Sequence, residues 1–229
     1  RIPYHAMEDG LNCLVYFDAA RYDNRGHFGL KAFFSRQLNL VFVQNGYGKY
    51  CIDMEVNDIA AIPHPCPRYI EVPRQPLADS LGEEDRDMIL RAFIRNKEEL
   101  ERQIADSGRV EDKILILTEP LCSLEVRERI FRDCIEQYGK IDGEESVVMI
   151  KPHPRDVLDY RKVFSSYIVL DSKFPMEILN FIPDLRFRRV ISVFTVVRSI
   201  QFAEEIVYLG EDFMDQYEAP ELHRQNEMI

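Results

Sequence analysis

From residue 113 onward, short runs of consecutive apolar residues alternate with stretches whose apolar positions recur every three or four residues. "KILILTEP" (113–120) is a Leu- and Ile-rich run closed by Pro120, and "LEVRERIFRDCIEQYG" (124–139) follows with helical spacing and a closing Gly139. The pairing recurs as "SVVMIK" with "RDVLDYRKVF", "YIVLDS" with "PMEILNFI", "RVISVF" with "VVRSIQFA", and "EIVYLG" with "EDFMDQY". Uninterrupted apolar runs, as opposed to alternating ones, mark strands covered by helices on both faces. The pattern predicts an α/β fold over 113–229, a Rossmann-like parallel sheet flanked by helices. In such sheets ligands sit outside the carboxyl ends of the strands.

The first half is less regular. "NCLVYFD" (12–18) and "LNLVFVQNG" (38–46) read as strands or buried segments, whereas "IPHPCPRYIEVPRQPL" (62–77) holds five prolines and is expected to be neither helix nor central strand. "GEEDRDMILRAFIRNKEELERQIADSG" (82–108) is a charged helical region with acids at its start, as the helix dipole favours. Three parts follow: a remnant of an N-terminal domain with its Pro-rich linker (1–80), a charged helical connector (81–112), and the Rossmann-like domain (113–229). The chain opens on Arg1 and enters a charged loop within ten residues, which reads as a chain lacking an N-terminal portion.

Composition narrows the partners. Among 229 residues, 40 Asp plus Glu against 29 Lys plus Arg give a net charge of -11, which repels nucleic acid and anionic lipid. An anionic ligand therefore needs a local basic cluster. The five cysteines are widely spaced and odd in number, so neither a disulfide framework nor a metal site is indicated, and a reducing cytoplasmic setting is expected. No apolar run is long enough to span a bilayer.

The candidate chemistry lies in the loops. In "KPHPR", Pro152 and Pro154 restrict His153 while Lys151 and Arg155 add positive charge, and a helix starting near Asp156 would turn its free N–H groups to the same place. This is an anion-handling corner. A second His-Pro pair, His64-Pro65, reads as structural. In "YHAMEDGLN" two carboxylates, Glu8 and Asp9, precede Gly10, an arrangement that places one acid at a loop apex. Glu177 at a helix start suits sugar hydroxyls, and Ser192 and Thr195 after a strand suit a phosphate or carboxylate.

An acid-acid-Gly loop, a Lys-x-His-Pro loop, a Glu in "MEIL" and a Ser/Thr pair one β-α unit later together resemble the bacterial sialyltransferases, most closely glycosyltransferase family 52, the lipooligosaccharide sialyltransferase group. The resemblance runs from Glu8 to about Gly210 and takes in "ILILTEPL" and "IEVPRQPL". It implies a GT-B fold of two Rossmann-like domains, with this chain supplying the donor-binding half and part of the preceding domain. It further implies an inverting transfer of sialic acid from CMP-sialic acid to a glycan or glycolipid hydroxyl. Asp9, with Glu8 as the other candidate, would deprotonate the acceptor, and His153 would protonate or neutralise the departing phosphate. Glu177 would bind the ribose, and Ser192 and Thr195 the phosphate, with Lys151, Pro154, Arg155 and Thr118 completing the donor site. The family pattern is a tighter Ser-Ser or Ser-Thr pair, whereas "SVFT" sets the two hydroxyls three apart.

No cofactor and no metal are expected, since a departing nucleoside monophosphate can be stabilised by a histidine, cations and helix N–H groups. No nucleic acid partner is expected. Peripheral attachment at the inner membrane face and pairing into a homo-oligomer both remain open. Two alternatives stand beside this reading: a transferase using CDP-glycerol, CDP-ribitol or CMP-Kdo, and a non-catalytic CMP-binding module.

Overall fold

The computed structural model describes residues 2–8, 14, 46–62, 65–195, 197 and 199–219. The chain divides into two compact units, Arg1–Leu81 and Gly82–Ile229.

The first unit contains a three-stranded parallel sheet of β1 (Tyr4–Met7), β2 (Cys51–Val56) and β3 (Tyr69–Glu71), with β2 in the middle. Met54, Val56 and Tyr69 pack with Leu14, Ile62 and Cys66 in its core. The proline-rich stretch is more ordered than its composition predicts. It supplies the edge strand β3 and the helix α1 (Arg74–Asp79). An edge position spares one side of the strand from pairing, and Pro76 falls in the first turn of α1, where backbone N–H groups have no helical partner. The segments 12–18 and 38–46 lie outside the described residues apart from Leu14 and Gly46.

The second unit begins with α2 (Glu83–Phe93) and α3 (Lys97–Asp106), and its strands are β4 (Lys113–Leu117), β7 (Val147–Lys151), β8 (Ile168–Val169), β9 (Phe187–Ser192) and β10 (Ala203–Tyr208). All neighbours are parallel, in the order β10-β9-β4-β7-β8. Counted along the chain this is the 3-2-1-4-5 order of a Rossmann-like sheet, whose direction of winding reverses between β4 and β9. A small hairpin of β5 (Lys140–Ile141) and β6 (Glu144–Glu145) precedes β7.

Both sheet faces are covered, which explains the uninterrupted apolar runs. Leu115, Leu117, Met149 and Val190 face Leu90 and Ile94 of α2 and Leu100 and Ile104 of α3. On the other face Ile114, Ile116, Val148, Ile150 and Ile191 meet Ile130, Phe131 and Cys134 of α4 (Leu124–Tyr138) and Phe213 and Met214 of α6 (Gly210–Met214). Ser123 caps α4 by accepting the Val126 amide at 3.4 Å. At its other end Gly139 lies so close to the Ile135 carbonyl that no side chain fits.

Three predicted helices came out differently. "RDVLDYRKVF" keeps one helical turn, α5 (Tyr160–Val163), because Pro154 and Asp156 commit the preceding residues to turns. "PMEILNFI" forms a 3-10 helix, Met176–Phe181. Within "VVRSIQFA" the described residues are not helical: Ile200 donates to the Val197 carbonyl in a turn, and Phe202 leads into β10.

Candidate active site

The register levels the strand ends. Leu117 of β4 pairs with Lys151 of β7, and Ile116 pairs with Ile191 of β9, so Leu117 stands beside Ser192. The loops starting at Thr118, Pro152 and Val193 thus leave the sheet along one line, at its carboxyl edge.

His153 sits half-buried on the loop after β7. Its carbonyl accepts the Asp156 amide at 3.0 Å, closing a turn with Pro154 at the second position, where a fixed φ is favourable. Its own N–H donates to the Thr118 hydroxyl oxygen at 3.2 Å. Its Nδ1 accepts the Arg155 amide at 3.1 Å, which assigns the ring proton of neutral His153 to Nε2. Burial, with the Arg155 cation second, pushes the imidazole below its ordinary range. The group offered to a ligand is therefore an N–H donor on a neutral ring.

Helix N–H groups do not converge here as expected. The loop is held instead by Asp156, which accepts from Arg127 at 2.5 Å, from the Leu158 amide at 3.0 Å and from the Tyr160 hydroxyl at 2.8 Å. Arg127 also donates to the Leu121 and Cys122 carbonyls, at 2.6 and 2.9 Å. The Tyr160 hydroxyl interacts with Thr118 as well, and burial pushes it far above its ordinary range. Sequence reasoning passed over this network, although Arg127 interrupting the apolar face of an amphipathic helix was its visible trace.

Lys151 and Arg155 separate in environment. Pro154 and Arg155 are exposed, whereas Lys151 is 3% exposed and continues the Met149 row into the core. Its ammonium donates to the Pro152 carbonyl at 3.0 Å and lies 4.5 Å from the centre of the Phe174 ring. Burial lowers its pKa to about 8, against the pull of Asp171 and Glu177. Glu177 is exposed on the 3-10 helix, near enough to act electrostatically on Lys151. A pocket of ≈ 320 Å³ opens beside this corner, lined by Pro152, Asp156, Tyr160, Asp171 and Ser172 among others.

At the end of β9 the two hydroxyls turn inward. Ser192 is buried and its hydroxyl donates to the Thr195 carbonyl at 2.9 Å. The backbone N–H groups of Phe194 (2.9 Å) and Thr195 both donate to one carboxylate oxygen of Glu119, and the Thr195 side chain bonds to that carboxylate as well. Burial pushes the Glu119 carboxyl above its ordinary range, partly offset by these donors. Glu119, just beyond β4, thus occupies the crevice where the sheet reverses. Nothing local in "LTEPL" marks it, because its partners lie 75 positions away.

In the first unit, Glu8 follows β1 and is buried, with its two oxygens accepting the Leu14 amide at 3.1 Å and the Asn57 amide at 2.9 Å. Asp9, Gly10 and His64 lie outside the described residues. Among the described residues no cluster of His, Cys, Asp or Glu is placed to hold a metal ion, and no helix is long and apolar enough to cross a membrane.

A parallel sheet of this order, covered by helices on both faces, defines a Rossmann-like α/β domain, and its polar groups gather at the carboxyl edge. The chain belongs to glycosyltransferase family 52, whose family model matches residues 2–205. It is also 29% identical over 104 residues to a Haemophilus influenzae protein described as uncharacterized, a match covering 43% of this chain and 32% of that protein. The chain therefore aligns with about a third of that relative's length. No solved structure matches it at a significant level.

Proposed function

We propose that the full-length protein transfers sialic acid from CMP-sialic acid to a hydroxyl of a cell-surface glycan, with inversion, at the cytoplasmic face of the membrane. The observation that carries this reading is His153, whose Nδ1 is held by the Arg155 amide so that Nε2–H is left to a ligand. As the sugar–phosphate bond breaks, negative charge grows on the phosphate, and a prepositioned N–H donor stabilises it most at that moment. A single phosphate presents a charge that such donors can meet without a metal ion.

Asp9 takes the proton of the attacking hydroxyl. Its neighbour Glu8 already has both oxygens engaged by backbone amides, which suits it to shaping the loop. Glu177, exposed after β8, is available to ribose hydroxyls, and Arg155 to the donor's anionic groups. Thr118 holds His153 through its amide. Ser192 and Thr195 act by shaping the turn after β9, since their hydroxyls are drawn inward.

The test is turnover of CMP-sialic acid by the full-length protein and its variants. His153→Ala and Asp9→Ala are each expected to lower transfer by about 10² or more. A near-normal rate in either variant removes that residue from the mechanism, and no CMP release by the wild type overturns the donor assignment.

A further inference from the structure

Both peptide groups of His153 are tied down. Its N–H donates to the Thr118 hydroxyl oxygen at 3.2 Å, and its carbonyl accepts the Asp156 amide at 3.0 Å. The Tyr160 hydroxyl joins these two tethers: it donates to the Asp156 carboxylate at 2.8 Å and, its one proton spent, accepts from the Thr118 hydroxyl. The bonds form a closed circuit through His153, Thr118, Tyr160 and Asp156. Each hydroxyl in it gives one proton and receives one, so no member competes with another. Arg127 holds the circuit from outside, on the other oxygen of Asp156.

We propose that Tyr160 is a positioning residue for the transfer: its hydroxyl locks the backbone on both sides of His153 and so aims Nε2–H at the departing phosphate. This deepens the donor reading above and rests on it. Pro152 and Pro154 fix their own φ angles and keep His153 extended, but an extended residue still has a broad range in which its side chain can swing. The circuit narrows that range. Tyr160 is itself immobilised, buried with its ring stacked on Phe164 and edge-on to Phe131, both at 5.8 Å between centres. Its hydroxyl therefore holds Thr118 and Asp156 at a fixed separation, and they hold His153. A donor that acts as charge develops depends on such placement, because an error of about 1 Å can cost about a hundredfold in rate.

The experiment compares Tyr160→Phe with Ile130→Val in the full-length protein. Tyr160→Phe keeps the aromatic packing and removes only the hydroxyl, whereas Ile130→Val loosens the same core cluster and touches none of these hydrogen bonds. With CMP-sialic acid as donor, Tyr160→Phe is expected to lower kcat about tenfold while KM moves by less than about twofold, because the loss falls on the transition state. Ile130→Val should keep kcat within about twofold of the wild type. Thr118→Val opens the same circuit, so the double variant Tyr160→Phe, Thr118→Val should lose little more than the worse single one. A folded Tyr160→Phe protein with wild-type kcat overturns the proposal, as do an equal fall in Ile130→Val and losses that multiply in the double variant. If one of the two circuit variants fails to fold, the other decides, since each alone opens the circuit. If the wild type releases no CMP from the donor, the donor reading fails, and hydrogen exchange at the His153 amide decides the circuit by itself. Exchange is expected to be at least about tenfold faster in Tyr160→Phe than in Ile130→Val, and equal rates overturn the circuit.

Discussion

Arg127 on α4 and Asp156 on the loop after β7 meet at 2.5 Å in an ion pair whose side chains are 7% and 0% exposed. Their burial means that the pair fixes geometry more than it adds net stability, while loss of one partner strands a charge. Arg127→Met is expected to cost about 3–5 kcal/mol. Adding Asp156→Asn should restore part of that loss, because no lone carboxylate then remains. Chemical denaturation of both single variants and the double variant measures the coupling, and simple additivity would mean that the two residues act independently.

His153 should titrate below the 6.5 of an unperturbed histidine. Its folded pKa is depressed, so the unfolded chain binds more protons once the pH falls below 6.5, and the contribution of this group to stability declines on acidification through that window. Replacing the exposed Arg155 by Ala removes the second-largest cause and should move the midpoint upward. NMR titration of the imidazole reads both values, and a wild-type midpoint above 6.5 contradicts the burial described here.

Lys151 provides a signature at the alkaline end. Its pKa drops from 10.5 to about 8 in the fold, so between those values the unfolded chain holds more protons. The stability of the wild type relative to Lys151→Met should therefore rise from pH 8 towards pH 10.5, by an amount on the order of 2 kcal/mol. Denaturation curves at the two ends of the window check the sign. A difference that stays flat would place the ammonium in water.

The buried Cys134 thiol and the half-buried Cys122 thiol should both be poor nucleophiles. Burial pushes Cys134 up to about 12 and Cys122 up to about 11, so near pH 8 neither is a thiolate in the folded protein. Thiol-reactive dyes are expected to label Cys134 only on unfolding and Cys122 slowly in the native state, as peptide mapping would report. Fast native labelling of Cys134 would show that α4 opens readily.

The parts legible in the sequence were those whose signal is contiguous. β4 and β7 read directly from five consecutive apolar or strand-end residues, and α4 read from its spacing and Gly139. The parallel sheet followed from the absence of alternation. The turn at His153 was visible because Pro154 fixes it locally. Less legible was whatever depends on distant partners. "VVRSIQFA" has apolar spacing that fits a helix, yet Ile200 and Phe202 are apolar because they fill the core beneath the sheet. Lys151 reads as a ligand-facing cation until the period of two along β7 carries it to the Met149 side. Ser192 and Thr195 read as ligand donors because nothing nearby reveals that the Thr195 carbonyl takes the Ser192 hydroxyl and that Glu119 claims the Thr195 amide.

Glu119 reaches to the β9 loop and Arg127, near the start of α4, to the β7 loop, and the connection from Pro120 to Ser123 lies between these two anchors. Surface connections usually absorb extra residues without penalty. This one should not: lengthening it by a residue would throw at least one anchor out of phase with its partner. Among the described residues, an insertion scan would then find an unforgiving interval outside the regular elements, between Pro120 and Leu124, where solvent exposure alone would advise the engineer to cut.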